Sequence, residues 1–357
     1  MGPMCGDVAH GDGPRYPGPE SKRRRIQRRV PLVGPQLMGE AMAGFDFRNF
    51  FGNIIPLADA TKRGEGRFWE PSTNSPPRQS EYVLYLGCNV LRTVHLAETM
   101  VAVLEALGVD VLPIGGPAHC CGIVHHGQGE ARTGGKMTAK AMGTFNRLSP
   151  KEVLVYCPSC HSHMDERIPE GFPLDVPYRH VSAFLAERAE SIPWRGIQPM
   201  KVALHHHPHN DQQVLDAESV RTLLGAIPGL EVFDQPVGED WGRHCTFNQI
   251  QALDGPPLEE RVAGMLEDAR ANGCAAVATV YHSCYRELCG FEQKDGIQVL
   301  NYIDLVAKGM GLSAPEATFK RLKLAGDPEA AFNELGPGAS PKRLRVSVAA
   351  HFTPPSR

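Results

Sequence analysis

The chain has 357 residues, 42% of them hydrophobic, enough for one large domain or two ordinary ones with real cores. Its 37 basic and 40 acidic residues leave a net charge of −3, so no overall field would recruit nucleic acid or an anionic membrane. The longest apolar runs, such as residues 153–156 and 202–204, fall far short of the ~20 residues that span a bilayer, and no apolar leader precedes a small-residue cleavage site. No nucleic acid and no membrane span are expected, and a cytoplasmic, reducing compartment is.

Residues 1–78 form an arm rich in Gly, Pro and Arg, with a basic run Lys22-Arg23-Arg24-Arg25 and no sustained apolar period, expected to be mostly disordered. Within it, the aromatic stretch from Phe45-Asp46-Phe47 to Phe68-Trp69 suits a peptide that docks on a partner or on the body of the protein. Strands are then predicted at 82–86, 109–113 and 152–156, with helices at 91–107 and 129–145 between them. The second half repeats the order, with strands at 202–205, 231–233 and 275–280 and helices at 211–224 and 257–271. Such alternation predicts an α/β fold of parallel sheets flanked by helices, with ligands in the loops after strand C-termini. Residues 313–357, Pro-rich and carrying Lys342-Arg343-Leu344-Arg345, are expected to be a loosely structured tail.

Five of the ten cysteines make one pattern, C-x31-CC-x35-C-x2-C, formed by Cys88, Cys120, Cys121, Cys157 and Cys160. Each segment ends after a predicted strand, which gathers five sulfurs at one sheet edge. Pro158 suits the first position of a helix, where its missing N–H costs nothing, and this puts Cys157 and Cys160 at a helix N-terminus that favours thiolates. Gly122 lets backbone approach a bulky group closely. A structural zinc site wants four ligands and fits a vicinal pair plus a fifth thiol poorly. A thioredoxin-like dithiol at Cys157 and Cys160 has the right strand-to-helix setting but leaves Cys88, Cys120 and Cys121 unexplained. An iron–sulfur cluster uses all five.

The second half carries an altered copy of this pattern. A shift of 124 residues places Cys120-Cys121 on His244-Cys245 and the 157–160 segment on Tyr281-His282-Ser283-Cys284, and a shift of 120 places Cys88 on Pro208. The residues expected to gather there are His209, His244, Cys245, His282 and Cys284, with His206 or His207 in reach. They could bind one zinc or iron, hold a smaller cluster, or form an acid/base and thiol pocket for a sulfur substrate, in which His244, Cys245, His282 and Cys284 are the catalytic candidates; decay of the site is the plain alternative. Cys274 is expected to be a buried small hydrophobe, Cys289 a spare and Cys5 part of the arm. His119, His125 and His126 flank the Cys-Cys-Gly turn as candidate proton carriers.

The cysteine pattern resembles the CCG cysteine-rich domain of the heterodisulfide reductase B-like family, which also includes the iron–sulfur subunits of glycolate and lactate oxidases. The resemblance spans about residues 82–312 and implies two pseudo-symmetric CCG repeats, here 79–195 with a complete motif and 196–312 degenerate. It implies a 4Fe-4S cluster of non-cubane type on Cys88, Cys120, Cys121, Cys157 and Cys160. It further implies an oxidoreductase subunit that reduces or forms a disulfide, with a cluster iron binding one substrate sulfur. Electrons would come from a ferredoxin-like iron–sulfur subunit (heterodisulfide reductase C-like) and a flavoprotein, and a small disulfide or thiol would be the substrate. Because the second copy lacks three of its cysteines, a second such cluster is not expected. An electron-transfer subunit of a 2-hydroxy-acid oxidase complex and a non-enzymatic zinc-binding scaffold are the alternatives.

Overall fold

The central strands of each half are apolar along their length, as strands covered by helices on both faces must be. In the computed structural model, which describes residues 45–70, 79–243, 245, 255–292 and 296–353, they lie in two sheets. The first contains β1 (Tyr82–Gly87), β2 (Val111–Gly115), β3 (Glu152–Val155) and β4 (Tyr178–His180), in the order β2-β1-β3-β4. The second contains β5 (Met200–His206), β6 (Leu230–Pro236), β7 (Ala276–Thr279) and β8 (Gln298–Asn301), in the order β6-β5-β7-β8. Every pairing is parallel, so the α/β architecture is the expected one. The closing strands β4 and β8 were not predicted; at three and four residues they are too short to show a periodic pattern.

Helices α1 (Phe47–Gly52) and α2 (Ile54–Thr61) precede the first sheet. Interleaved with it are α3 (Val94–Ala106), α4 (Ile123–Gly127), α5 (Ala131–Leu148), α6 (Pro158–Arg167) and α7 (Val181–Ala186). The second sheet carries α8 (Asp211–Gly225), α9 (Leu258–Ala271), α10 (His282–Leu288) and α11 (Tyr302–Gly309). Asn210 caps α8 by accepting from Gln213 N, and Asn301 with Asp304 forms a capping box on α11. Among the described residues no helix is long and apolar enough to cross a membrane.

The C-terminal segment differs from expectation, because it folds into α12 (Thr318–Ala325), α13 (Pro328–Leu335) and α14 (Pro341–Phe352). Two of the prolines that suggested a loose tail, Pro328 and Pro341, sit at the first positions of α13 and α14, where they start helices. Phe319, Leu322, Phe332, Leu344 and Phe352 are buried, each worth about 1.5–3 kcal/mol if fully withdrawn from water. The N-terminal aromatic stretch is likewise ordered from Phe47, and Trp69 is fully buried. Phe47 onward clusters as one unit, distinct from the residues up to Asp46. The two arms meet at Arg92, whose guanidinium donates to Phe50 O at 2.8 Å and lies 3.0 Å from His351 Nε2. Arg92 is four residues beyond Cys88, so both arms brace the segment that carries the first cysteine.

Candidate metal centre

In a sheet of order 2-1-3-4 the crossovers diverge between the first and third strands, and the crevice beyond their C-termini is where such folds bind ligands. Cys88 directly follows β1, Cys120 and Cys121 follow β2, and Cys157 follows β3 as the N-cap of α6, with Pro158 at its first position. All five thiols are buried and none is in a disulfide. Their contacts run from Cys88 to Cys120, at 3.7 Å, on to Cys121, then to Cys160 and Cys157. The structure thus brings together the whole first set predicted from sequence.

The electrostatics are divided among the five. Hydrogen bonds from Cys121 and Cys88 hold Cys120 down to about 3, and Gly122 N–H also points at its sulfur, at 3.5 Å. Cys157 is held well below the usual thiol range by Cys160 and then by a hydrogen bond from His282. Cys88, Cys121 and Cys160 are pushed up by those same sulfur neighbours, with burial adding to the effect. The surroundings therefore favour thiolate charge at Cys120 and Cys157, while the other three thiols hold their protons against these two neighbours.

Space at the centre depends on two glycines. Gly87, at φ +68°, faces the sulfurs: a Cβ there would lie 2.7 Å from Cys160 Sγ and 3.2 Å from Cys157 Cβ. Gly122, at φ +92°, lies against the backbone of Gly134, where a Cβ would come within 2.4 Å of its carbonyl oxygen. A donor set of five soft sulfurs around a side-chain-free cradle fits an iron–sulfur cluster.

The flanking histidines take different positions. His125 stacks on Phe47 with ring centroids 4.1 Å apart. Burial lowers the pKa of both His119 and His126, and that of His163, beside His126, to about 4. Sequence reasoning passed over a buried network next to Cys157. Tyr281 Oη donates to Asp216 Oδ2 at 2.9 Å, His180 Nδ1 lies 3.6 Å from Asp216 Oδ1, and His180 Nε2 lies 3.1 Å from the carbonyl of Tyr156. Only tertiary structure joins these residues, since they come from three separate elements.

In the second sheet the structure brings Cys245 and Cys284 together with His205 and His207, all four buried and with ligand atoms within 4.8 Å of one another. His209 is exposed and outside this group, and His206 points the other way to Asp234, at 3.0 Å. His282 starts α10 but faces Cys157 of the first repeat. His244 and Cys5 lie outside the described residues. Cys274 and Cys289 are buried and belong to neither group. Sequence reasoning missed His205, although its signal was present: His205 in β5 and His207 just past its end are two apart along extended chain, so they share a face.

Residues 82–165 match the model of the CCG cysteine-rich domain, the segment from β1 into α6 that contains all five thiols. The chain matches no curated protein. Among solved structures it is similar to an aspartate racemase homologue from Pyrococcus horikoshii OT3, at 13% identity over 64% of this chain and 97% of that one, with a TM-score of 0.32. A putative Asp/Glu racemase from Yersinia pestis shares 12% identity over 68% of this chain and 99% of that one, with a TM-score of 0.33. Likenesses this weak support no inference about chemistry.

Proposed function

We propose that the first repeat holds a 4Fe-4S cluster, of non-cubane type, on Cys88, Cys120, Cys121, Cys157 and Cys160. In this reading the chain is the heterodisulfide reductase B-like subunit of a redox complex that reduces or forms a small disulfide. Its partners are a ferredoxin-like iron–sulfur subunit and a flavoprotein. The observation that carries the reading is the convergence of five buried, mutually contacting thiols beyond the ends of β1, β2 and β3, within the segment that matches the CCG domain.

When bound, such a cluster supplies single electrons. The chain's own residues hold it and tune it. Gly122 N–H and His282 donate toward Cys120 and Cys157, which stabilises sulfur charge there. Tyr281 Oη donates to Asp216, and His180, beside that pair, bonds the backbone carbonyl one residue before Cys157, so a buried polar network lies beside the sulfurs.

The test is anaerobic purification followed by iron and sulfide analysis, with EPR after oxidation. About four irons per chain are expected, lost in Cys88→Ser, and zinc with no sulfide on these residues would overturn the reading. Complete burial of the thiols favours a second reading, an electron-transfer subunit of a 2-hydroxy-acid oxidase complex in which substrate never reaches the cluster. An EPR signal that shifts when a thiol substrate is added supports the first reading, and a signal blind to every thiol supports the second.

A further inference from the structure

The second repeat retains the strand order and register of the first but fills its crevice differently. Tyr85 on β1 is opposite Ile114 and Val155, and His205 on β5 is opposite Gln235 and Thr279. Val155 and Thr279 stand two residues before Cys157 and Tyr281, so His205 is the counterpart of Tyr85 and His207 that of Gly87. Where the first repeat has a glycine packed closely against Cys157 and Cys160, the second has an imidazole. His207 Nε2 reaches 3.3 Å from Cys284 Sγ and 3.3 Å from Cys245 Sγ. His205 Nε2 lies 3.1 Å from Cys245 Sγ.

We propose that His205, His207, Cys245 and Cys284 form a closed, four-coordinate zinc site, through Nε2 of each histidine and Sγ of each cysteine.

Three observations carry this. First, the distances suit a single ion: bonds of about 2.3 Å to sulfur and about 2.0–2.1 Å to nitrogen give a tetrahedral sulfur–nitrogen edge of about 3.5 Å. The observed edges of 3.1–3.3 Å need only a slight expansion. A two-iron cluster with mixed ligands puts its histidines and cysteines on different irons, which would hold nitrogen and sulfur further apart. Second, the rings are oriented for it. His207 Nδ1 lies 2.9 Å from Gly242 O, and because a carbonyl only accepts, Nδ1 carries the hydrogen and Nε2 offers its lone pair. The His205 ring is fixed edge-to-face against Trp241, at 5.6 Å.

Third, the charge balances. Two thiolates neutralise one divalent cation, so the occupied site is uncharged where all four side chains are at most 1% exposed. Binding releases the protons of the two thiols to solvent and changes no oxidation state. Without an ion, the same crevice buries a His205 Nδ1 that has no hydrogen-bond partner among the described residues, with a second imidazole and two thiols beside it. With four protein ligands no coordination position is left for substrate, so the site is structural. It fixes α10, which carries Cys284, and α10 in turn presents His282 to Cys157.

The test measures zinc apart from iron in the full chain, so it stands or falls separately from the cluster. About one zinc per chain is expected, with an X-ray absorption shell of two sulfurs and two nitrogens, a readout that needs no variant. Zinc should fall at least roughly tenfold in His207→Ala and Cys284→Ser. It should be unchanged in His206→Ala, whose ring lies on the other face, and in Cys157→Ser. Absence of zinc in the native chain, a four-sulfur shell, iron in this ligand set, or zinc that follows Cys157 instead of Cys284 would each overturn the proposal.

Discussion

The first strands of the two repeats run out into the loop through Tyr85-Leu86-Gly87-Cys88 and His205-His206-His207-Pro208, and most of what separates the two crevices follows from these four positions. In the first, Tyr85 sends its hydroxyl to His119 O at 2.7 Å, Gly87 lets the backbone lie close against Cys157 and Cys160, and Cys88 supplies a sulfur. In the second, both side chains on the shared face are imidazoles directed at the two remaining cysteines. A common backbone can thus present an open sulfur basket or a small, filled nitrogen–sulfur site, and one side chain at the position of Gly87 decides how much room there is.

The largest effect is therefore expected at Gly87. Its φ of +68° costs an L-residue about 1–2 kcal/mol, and the added Cβ of Gly87→Ala would press on Cys160 Sγ at 2.7 Å. We expect metal holding by the first repeat to weaken roughly 10–100-fold, read as iron and sulfide per chain, with the second repeat unaffected. The comparison can be run in the other direction. Cysteine placed together at Pro208, His244 and Tyr281 should add no iron while His207 keeps its ring; a gain of iron in that triple variant would show that the ring is not what limits the space.

Much of this contrast was legible before the structure. The strand and helix order, the five-sulfur set and the duplication all follow local rules: apolar runs, cysteine spacing, and Pro158 as a helix start. Legibility ended where tertiary placement decides. His205 looked like one more strand residue because it belongs to an apolar run, and only the pairing of β5 with β6 puts it beside Cys245. His282 was assigned to the second site by its spacing, yet the first turn of α10 directs it to the other repeat. The C-terminal prolines were ambiguous in isolation, since proline both ends a helix and starts one. Burial of Phe319, Leu344 and Phe352 against the body settles that they start helices.

A smaller effect is expected at the position where the second repeat has Tyr281 in place of a cysteine. Its hydroxyl donates at 2.9 Å to Oδ2 of Asp216, a fully buried carboxylate whose other donor to that oxygen, Gln212 Nε2, is further off at 3.4 Å. Tyr281→Phe conserves shape but removes that donor, and should destabilise the chain by about 1–3 kcal/mol, the usual cost of a buried polar group left short of a partner. A shift in denaturant midpoint with an unchanged slope would measure it. An unaltered midpoint would show that Asp216 finds another donor and that the network does not join the two copies.

The smallest effect concerns the seam between the repeats under acid. His95 on α3 of the first repeat faces Tyr285 on α10 of the second, with ring centroids 5.4 Å apart. Its Nε2 is buried without a hydrogen-bond partner among the described residues, and burial, reinforced by Lys320, lowers its pKa from 6.5 to about 3. Above pH 6.5 the imidazole is neutral whether the chain is folded or not, so the seam is at full strength. As pH falls from 6.5 toward 3, the unfolded chain takes up a proton that the folded chain refuses, and stability is lost by at most about 1.4 kcal/mol per pH unit. His95→Leu removes the titrating group and retains an apolar side chain of similar reach, so the variant's stability should decline less steeply across that window while matching its slope above pH 7. Parallel slopes throughout would mean that His95 is protonated in the folded state, and that water reaches the seam between α3 and the second repeat.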